Sequence, residues 1–234
     1  MDAARGVRAR RPRRLGLSAP LSLSLLALAG LCSACVGTHK LTNPTLSIHT
    51  AQGDELGVST DYGIVFLGHT AQSGNIEITA WYGDGPDIEP AVIEPIGRGL
   101  FTAETEIRLP QVPLCFDEPA PGTELLVVGQ NAGGPWEATV TVESNPRVLG
   151  IFTTIPRELE NAPDQYGAGV YVLDDGDTHK KRLVGLVSGK MQIPTERGAR
   201  WYLTVVGPTD LWRLVVHRRD LLQKKRWVYR EDIL

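Results

Sequence analysis

Segments in which apolar and polar residues alternate recur along most of the chain. In segment 75–82 the alternation puts Glu77 and Thr79 on one face of a strand and four apolar side chains on the other: Ile76, Ile78, Ala80 and Tyr82. Other apolar or β-branched runs are bounded by Gly, Pro, Asp or Asn, as strands are. Together they predict eleven strands, at 45–50, 63–67, 75–82, 91–93, 105–109, 123–129, 137–142, 148–155, 169–173, 182–189 and 201–207.

The hydrophobic period changes only near the C-terminus. From Thr209 onwards the spacing is helical and places four apolar residues on one stripe: Leu211, Leu214, Val215 and Leu222. Thr209 is the predicted N-cap. The chain is therefore expected to be all-β with a C-terminal helix. Closed barrels and paired sandwiches both fit, because both remove exposed strand edges.

The first 35 residues have the composition of an export signal. Six Arg residues between positions 5 and 14 precede an uncharged run rich in Leu, Ala and Ser. The alternative is a membrane anchor, but the strongly apolar part, 21–31, is short for a bilayer span.

The end of this run, "LCSAC", resembles the lipobox of bacterial lipoproteins, although Cys32 stands where that box usually has Leu. The resemblance implies export to the cell envelope, periplasmic or surface, and acylation of Cys35. Ordinary cleavage that leaves Cys32 and Cys35 free to pair with Cys115 is the alternative.

Charge is distributed unevenly once the signal is set aside. Residues 36–216 hold 12 basic and 23 acidic residues, a formal charge of −11, whereas 217–234 hold six basic and three acidic. An acidic body argues against a nucleic-acid partner. The basic C-terminal tail is either a solvated helix face or a contact with a membrane surface.

Several short motifs follow one another between residues 45 and 216. They are opening strands and a His-bearing turn at 53–85, strands at 121–134 and 138–150, and a loop, hairpin and strand at 162–190. Taken in chain order, they resemble the trypsin-like serine proteases, and among them the bacterial HtrA-like branch. The resemblance implies two six-stranded β-barrels followed by a helix. The implied divisions are a signal at 1–35, a linker at 36–44, barrels at 45–112 and 113–207, and a helix with a basic tail at 208–234.

The resemblance also implies a site with one substituted position. His69 falls at the catalytic His, and Tyr166 falls where the family has its nucleophilic Ser. Asp164 replaces a Gly of the oxyanion loop, and Gly99 stands where the family has its acid, unless the register shifts to Glu104 or Glu106. A phenol with a pKa near 10 is a poor acyl-transfer nucleophile. The site is therefore expected to be a noncatalytic relic.

Binding is the function that survives such a substitution. In the family the strand containing Ser188 and Gly189 lines the substrate cleft, and Gly167 follows the nucleophile position. A protein or peptide ligand could pair with this strand through main-chain hydrogen bonds. No cofactor is expected. No metal is expected either, since the remaining histidines, at 39, 49, 179 and 217, lack a ligand spacing.

Two other functions are compatible with the sequence. One is a hydrolase whose nucleophile has moved to a residue such as Ser73, assisted by His69. The other is a pair of β-sandwich modules that bind a sugar or an envelope partner.

Overall fold

The computed structural model describes residues 43–69, 76–82, 85–107, 109–131, 134–146, 148–155, 166–174, 177–195 and 198–231. Residues 39–234 form one compact unit. The predicted signal and linker lie outside the described residues as far as position 42. None of the described helices is long and apolar enough to span a membrane.

The described residues form twelve strands and one helix. The strands are β1 Thr45–Thr50, β2 Gly53–Thr60, β3 Gly63–Phe66, β4 Ile76–Tyr82, β5 Gly85–Gly97, β6 Leu100–Glu104, β7 Glu124–Asn131, β8 Gly134–Thr141, β9 Ile151–Thr153, β10 Gly169–Asp174, β11 Asp177–Thr195 and β12 Gly198–Val206, and the helix is α1 Pro208–Glu231. All the neighbouring strands within each sheet pair antiparallel.

The first six strands make a closed barrel in the order β1-β2-β3-β6-β5-β4. The barrel closes where β1 pairs with β4, with Ile48 opposite Ile78. The alternation predicted for β4 is confirmed at its inward positions, because Ile76, Ile78 and Ala80 are buried. A closed barrel rules out the sandwich alternative.

Thr79, on the other face of β4, is also buried. Gln130 of β7 donates from Nε2 to the Thr79 carbonyl at 3.3 Å and to Ser47 Oγ at 3.3 Å. The second sheet therefore covers part of the outer face of the first barrel.

The last six strands form a second sheet in the order β8-β7-β10-β11-β12-β9. Its two end strands meet at one isolated bridge, Val142–Thr153, flanked by hydrogen bonds from Glu143 N–H to Phe152 C=O and from Thr154 N–H to Thr141 C=O. The predicted double-barrel class is confirmed, with the second barrel closed much less completely than the first.

The two sheets share a buried seam. Side chains from both sheets and from α1 form one apolar cluster there: Val58, Val65, Leu67, Leu100, Val112, Leu114, Leu126, Val128, Tyr171, Leu183, Leu186, Leu211 and Leu214. The Tyr171 hydroxyl lies 3.5 Å from Thr45 Oγ1, across the seam. Burial raises the pKa of Tyr171, and the hydrogen bond with Thr45 partly opposes that shift.

The hydrophobic pattern was wrong at three places in this region. Segment 105–109 is not a strand in its described residues, and β6, which precedes it, was not predicted. Strand β2 was also absent from the pattern-based strands, since Gly, Asp and Glu dominate its first half, although the resemblance implied opening strands from residue 53. Residues 55–60 of β2 are all buried, which is a tertiary effect.

The helix begins one residue before the predicted N-cap. Pro208 occupies its first turn, and the Gly207 carbonyl accepts the N–H groups of Asp210 and Leu211 at 3.2 Å. Proline is favoured there because a first-turn N–H has no partner inside the helix. Leu211 and Leu214 are buried as predicted, but Leu222, about two turns further along the helix, is exposed.

Candidate functional site at the seam between the barrels

His69 follows β3, on a turn that only glycine can make. Gly68 has a φ of +67°, and a Cβ there would lie 2.1 Å from the Phe101 ring. The turn is also held by Glu55, whose Oε2 accepts the backbone N–H of His69 at 3.2 Å. Glu55 is buried and the His69 side chain is exposed. The backbone around His69 is therefore fixed, while its imidazole lies at the surface.

Tyr166 reaches the same place from the second sheet. Its carbonyl accepts the Leu56 N–H of β2 at 2.9 Å, and Gly167 N–H donates to the Val187 carbonyl of β11 at 2.8 Å. Gly167 has a φ of +83°, and a Cβ there would lie 1.8 Å from the Leu56 oxygen. Main-chain contacts with both sheets therefore hold this loop in place, whatever side chain position 166 carries.

The His69 and Tyr166 side chains meet at the surface, a place that we call the mouth of the seam. The ring centroids of His69 and Tyr166 are 4.9 Å apart, with planes tilted by 55°. On the other side, Tyr166 Cε1 lies 3.4 Å from the position that a Cβ on Gly189 would take. The phenol ring, 37 % exposed, therefore contacts the His-bearing turn and lies close to β11.

The positions expected to carry an acid are now located. Strand β6 runs antiparallel to β3, with Ile64 opposite Ala103 and Phe66 opposite Phe101. The first residues of β6, next to Gly99, are therefore the ones that lie near His69. Glu104 and Glu106 line a pocket at the far end of the barrel. Neither Glu104 nor Glu106 is therefore next to His69.

Other candidates contribute less. Ser188 Oγ lies 2.9 Å from Thr204 Oγ1, so this hydroxyl is engaged with β12. Cys115 is a free, buried thiol whose Sγ donates to the Asp117 carbonyl at 3.7 Å. Asp164 and Ser73 lie outside the described residues. Among the residues that are described, no three His, Cys, Asp or Glu side chains are grouped closely enough to hold a metal ion.

Sequence reasoning did not identify Glu55 or Leu56, which hold the backbones of His69 and Tyr166. Both follow Gly53 and Asp54 in a segment without a strand-like pattern. Their importance comes from contacts with residues 14 and 110 positions further along the chain. No local signal marks such contacts.

Comparison with known proteins adds information on the fold. No protein-family model and no curated protein sequence matches the chain. Among solved structures, the chain is similar to kallikrein-related peptidase 10, with a TM-score of 0.55 and 16% identity over 76% of this chain and 97% of that one. The fold is that of the trypsin-like serine proteases.

A second similar structure is the Rv3671c protease of M. tuberculosis in an inactive form. Its TM-score is 0.50 at 15% identity, over 74% of this chain and 90% of that one. At these identities the likeness concerns the fold alone, and the chemistry of the site has to be argued from its own residues.

Proposed function

We propose that this protein is a noncatalytic, lipid-anchored envelope protein that uses a trypsin-like fold to bind an extended peptide or a segment of another protein. The observation that carries the proposal is the position of the Tyr166 ring, 4.9 Å from the His69 ring and close to Gly189. In a protease of this fold an attacking hydroxyl and the substrate carbonyl need this space.

Three features of the site argue against acyl transfer. The phenol is a weak nucleophile at neutral pH, and its ring fills the space next to the imidazole. Gly99 provides no carboxylate to orient His69. Asp164 would put a negative charge into the loop that should stabilise an oxyanion.

Binding is supported by the edge of β11. Strand β10 pairs with β11 only between Gly169–Leu186 and Asp174–Asp177, whereas β12 pairs with β11 as far as Thr195. On the side away from β12, no strand of the described chain covers residues 188–193. A peptide that adds a strand here would gain main-chain hydrogen bonds.

A labelling experiment tests the noncatalytic part. The chain should neither hydrolyse casein nor react covalently with a fluorophosphonate, whereas an active trypsin-like protease run in parallel does both. Tyr166→Ser should remain unlabelled, because the acid and the oxyanion loop are still missing. Labelling of the unmodified protein at any Ser would favour the relocated-nucleophile hydrolase, and Ser73→Ala would then show whether Ser73 is the labelled residue.

A pair of glycine variants tests the binding part. Peptides selected from a displayed random library should lose affinity by about tenfold or more in Gly189→Val, because the new side chain crowds Tyr166 and the strand edge. Gly198→Val is the matched control: it lies in the same hairpin, with a φ of +105° and nothing within 4 Å of its Cβ. Equal losses in the two variants would contradict the proposed edge.

The lipid anchor is tested separately, because it rests on the sequence alone. Cells grown with an alkyne-bearing fatty acid should label the wild-type protein and not Cys35→Ser. Cys115→Ser should keep the label, since that thiol is buried. Labelling that persists in Cys35→Ser would remove the anchor from the proposal and leave the binding site untouched.

A further inference from the structure

Helix α1 has a packed beginning and a solvent-exposed end. Leu211 and Leu214 are fully buried in the seam, but Arg218, Arg219, Leu222 and Lys224 are all exposed. We call these four residues the basic end of α1. Leu222 is 55 % exposed although it continues the stripe that begins with Leu211. The helix therefore presents an apolar side chain among cations.

Two arginines flank the exposed leucine: Arg218 and Arg219 are its neighbours on the helix surface, because residues three and four positions apart lie next to each other. Trp212 lies about two turns closer to the body, on the Arg219 side of the helix. Trp212 is half-exposed and packs edge-on against Phe116, with ring centroids 5.0 Å apart. Exposed aromatic and aliphatic side chains beside Arg and Lys are typical of helices that lie in a lipid interface.

The charge of the rest of the protein decides how such a contact would be oriented. Residues 217–234 hold six basic and three acidic residues, against 12 basic and 23 acidic in 36–216. One acidic residue adjoins the basic end: Asp220 Oδ1 lies 3.4 Å from Arg219 Nε. An anionic surface therefore attracts the end of α1 and repels the barrels.

We infer that the basic end of α1 docks on an anionic phospholipid surface, with Leu222 entering the headgroup region and Arg218 and Arg219 contacting phosphates, because residues three and four positions apart are neighbours on a helix surface. Asp210 is paired with Arg98 at 2.9 Å, and Asp117 and Glu118 lie beside Phe116 in the chain. The contact is therefore made by the second half of the helix. This inference does not depend on the proposed peptide site or on acylation of Cys35.

The experiment uses residues 39–234, the compact unit that contains all the described strands and the helix, so that neither a lipid on Cys35 nor the apolar N-terminal run contributes. The protein should sediment with phosphatidylcholine vesicles that contain phosphatidylglycerol and not with pure phosphatidylcholine. High salt should release it, because screening weakens contacts between exposed charges. Failure to bind the anionic vesicles at low salt overturns the inference.

Two variants with the same change in net charge locate the contact. R218E/R219E should lower the affinity for anionic vesicles by about tenfold or more. The matched control, K180E/R200E, reverses two exposed bases of β11 and β12 and should retain more of the affinity. Equal losses would show that only the net charge matters, and that would overturn the docking site. Unfolding curves check that all the variants are folded.

A second pair tests the apolar part. Leu222→Ser should weaken vesicle binding, whereas Leu149→Ser, at another exposed leucine, should not. If α1 instead contacts a second copy of the chain, analytical ultracentrifugation will show a dimer that R218E/R219E abolishes, without any vesicle binding. That result would also overturn the inference.

Discussion

In the buried half of the seam, side chains from both sheets pack together, with Tyr171 fully buried beside Thr45. In the exposed half, the rings of His69 and Tyr166 lie against each other at the surface. Main-chain hydrogen bonds hold the Tyr166 loop, and the Glu55 carboxylate holds the backbone of the His69 turn. The buried half depends on the identity of its side chains, whereas the exposed half depends on its backbone. The difference shows that the placement of the loop at position 166 is set by main-chain contacts and not by the side chain that this position carries.

The largest expected effect is at the backbone contact between Gly167 and Leu56, which joins the two sheets. Gly167→Ala should lower the free energy of unfolding by about 4 kcal/mol, because its Cβ would collide with the Leu56 carbonyl. Gly122→Ala is the matched control, since Gly122 has a φ of +85° and nothing within 4 Å of its Cβ. It should lose only about 1 kcal/mol from backbone strain. Urea unfolding measures both, and similar losses would mean that the Leu56 contact does not hold the loop.

A second comparison concerns the buried half and the helix that covers it. Leu211→Ala should cost about 3 kcal/mol, because it leaves a cavity in the seam. Leu222→Ala should cost less than about 0.5 kcal/mol, because Leu222 is exposed. Thermal unfolding of the two variants tests this. A large loss in Leu222→Ala would mean that the end of α1 is packed against the protein.

The stability of the protein in alkali is expected to depend on Tyr171. Its pKa is raised above the ordinary value of 10.0, so in alkali the folded state keeps a proton that the unfolded state releases. The stabilisation is complete below pH 10 and is lost as the pH rises towards the folded pKa, by up to about 1.4 kcal/mol per pH unit. Tyr171→Phe should cost about 1 kcal/mol at neutral pH and abolish this fall.

Lys181 makes an opposite contribution, and the comparison cancels it. Its ammonium lies 5.0 Å from the Tyr171 ring centroid, and burial lowers its pKa, partly offset by Glu137. The contribution of Lys181 to the free energy of unfolding therefore rises with pH until the pH reaches the ordinary pKa of a lysine. The wild type and Tyr171→Phe both retain Lys181, so the difference between their stability profiles against pH reports the Tyr171 hydroxyl. Tyr202→Phe, at a half-buried tyrosine, is the control that should keep the alkaline fall.

The smallest effect is expected at the exposed half. A double-mutant cycle of His69→Ala and Tyr166→Ala should give a coupling free energy of about 0.5 kcal/mol, as for an exposed ring pair. Neither variant should gain or lose hydrolase activity. A coupling of several kcal/mol would indicate that the ring pair, and not the backbone, holds the mouth of the seam together.

Strands with a strong local pattern were predictable. β4 alternates, and β7, β10 and β12 are aliphatic runs bounded by turn residues, so each was expected close to where it lies. The hydrophobic pattern missed β2 because Gly53, Asp54 and Glu55 have no strand-like alternation, and only the family resemblance implied a strand there. Segment 105–109 was predicted wrongly because a short alternating run forms a strand only where a neighbouring strand can pair with it.

The candidate site was only partly predictable. The resemblance put His69 and Tyr166 in one site, and the structure brings their rings together, while their roles and those of Ser188 and Gly189 stay predictions. The burial of Glu55, its bond to the His69 backbone and the collision that forces glycine at position 167 involve residues far apart in the chain.

The sequence by itself determined the all-β class, the C-terminal helix with its basic tail and the tyrosine at position 166, because period, composition and residue identity are local properties. Only the tertiary structure decided that one barrel closes fully and the other at a single bridge, that Leu211 is buried and Leu222 is not, and that the phenol lies between His69 and Gly189. These features depend on which distant segments meet, and main-chain contacts such as that between Leu56 and Tyr166 set them.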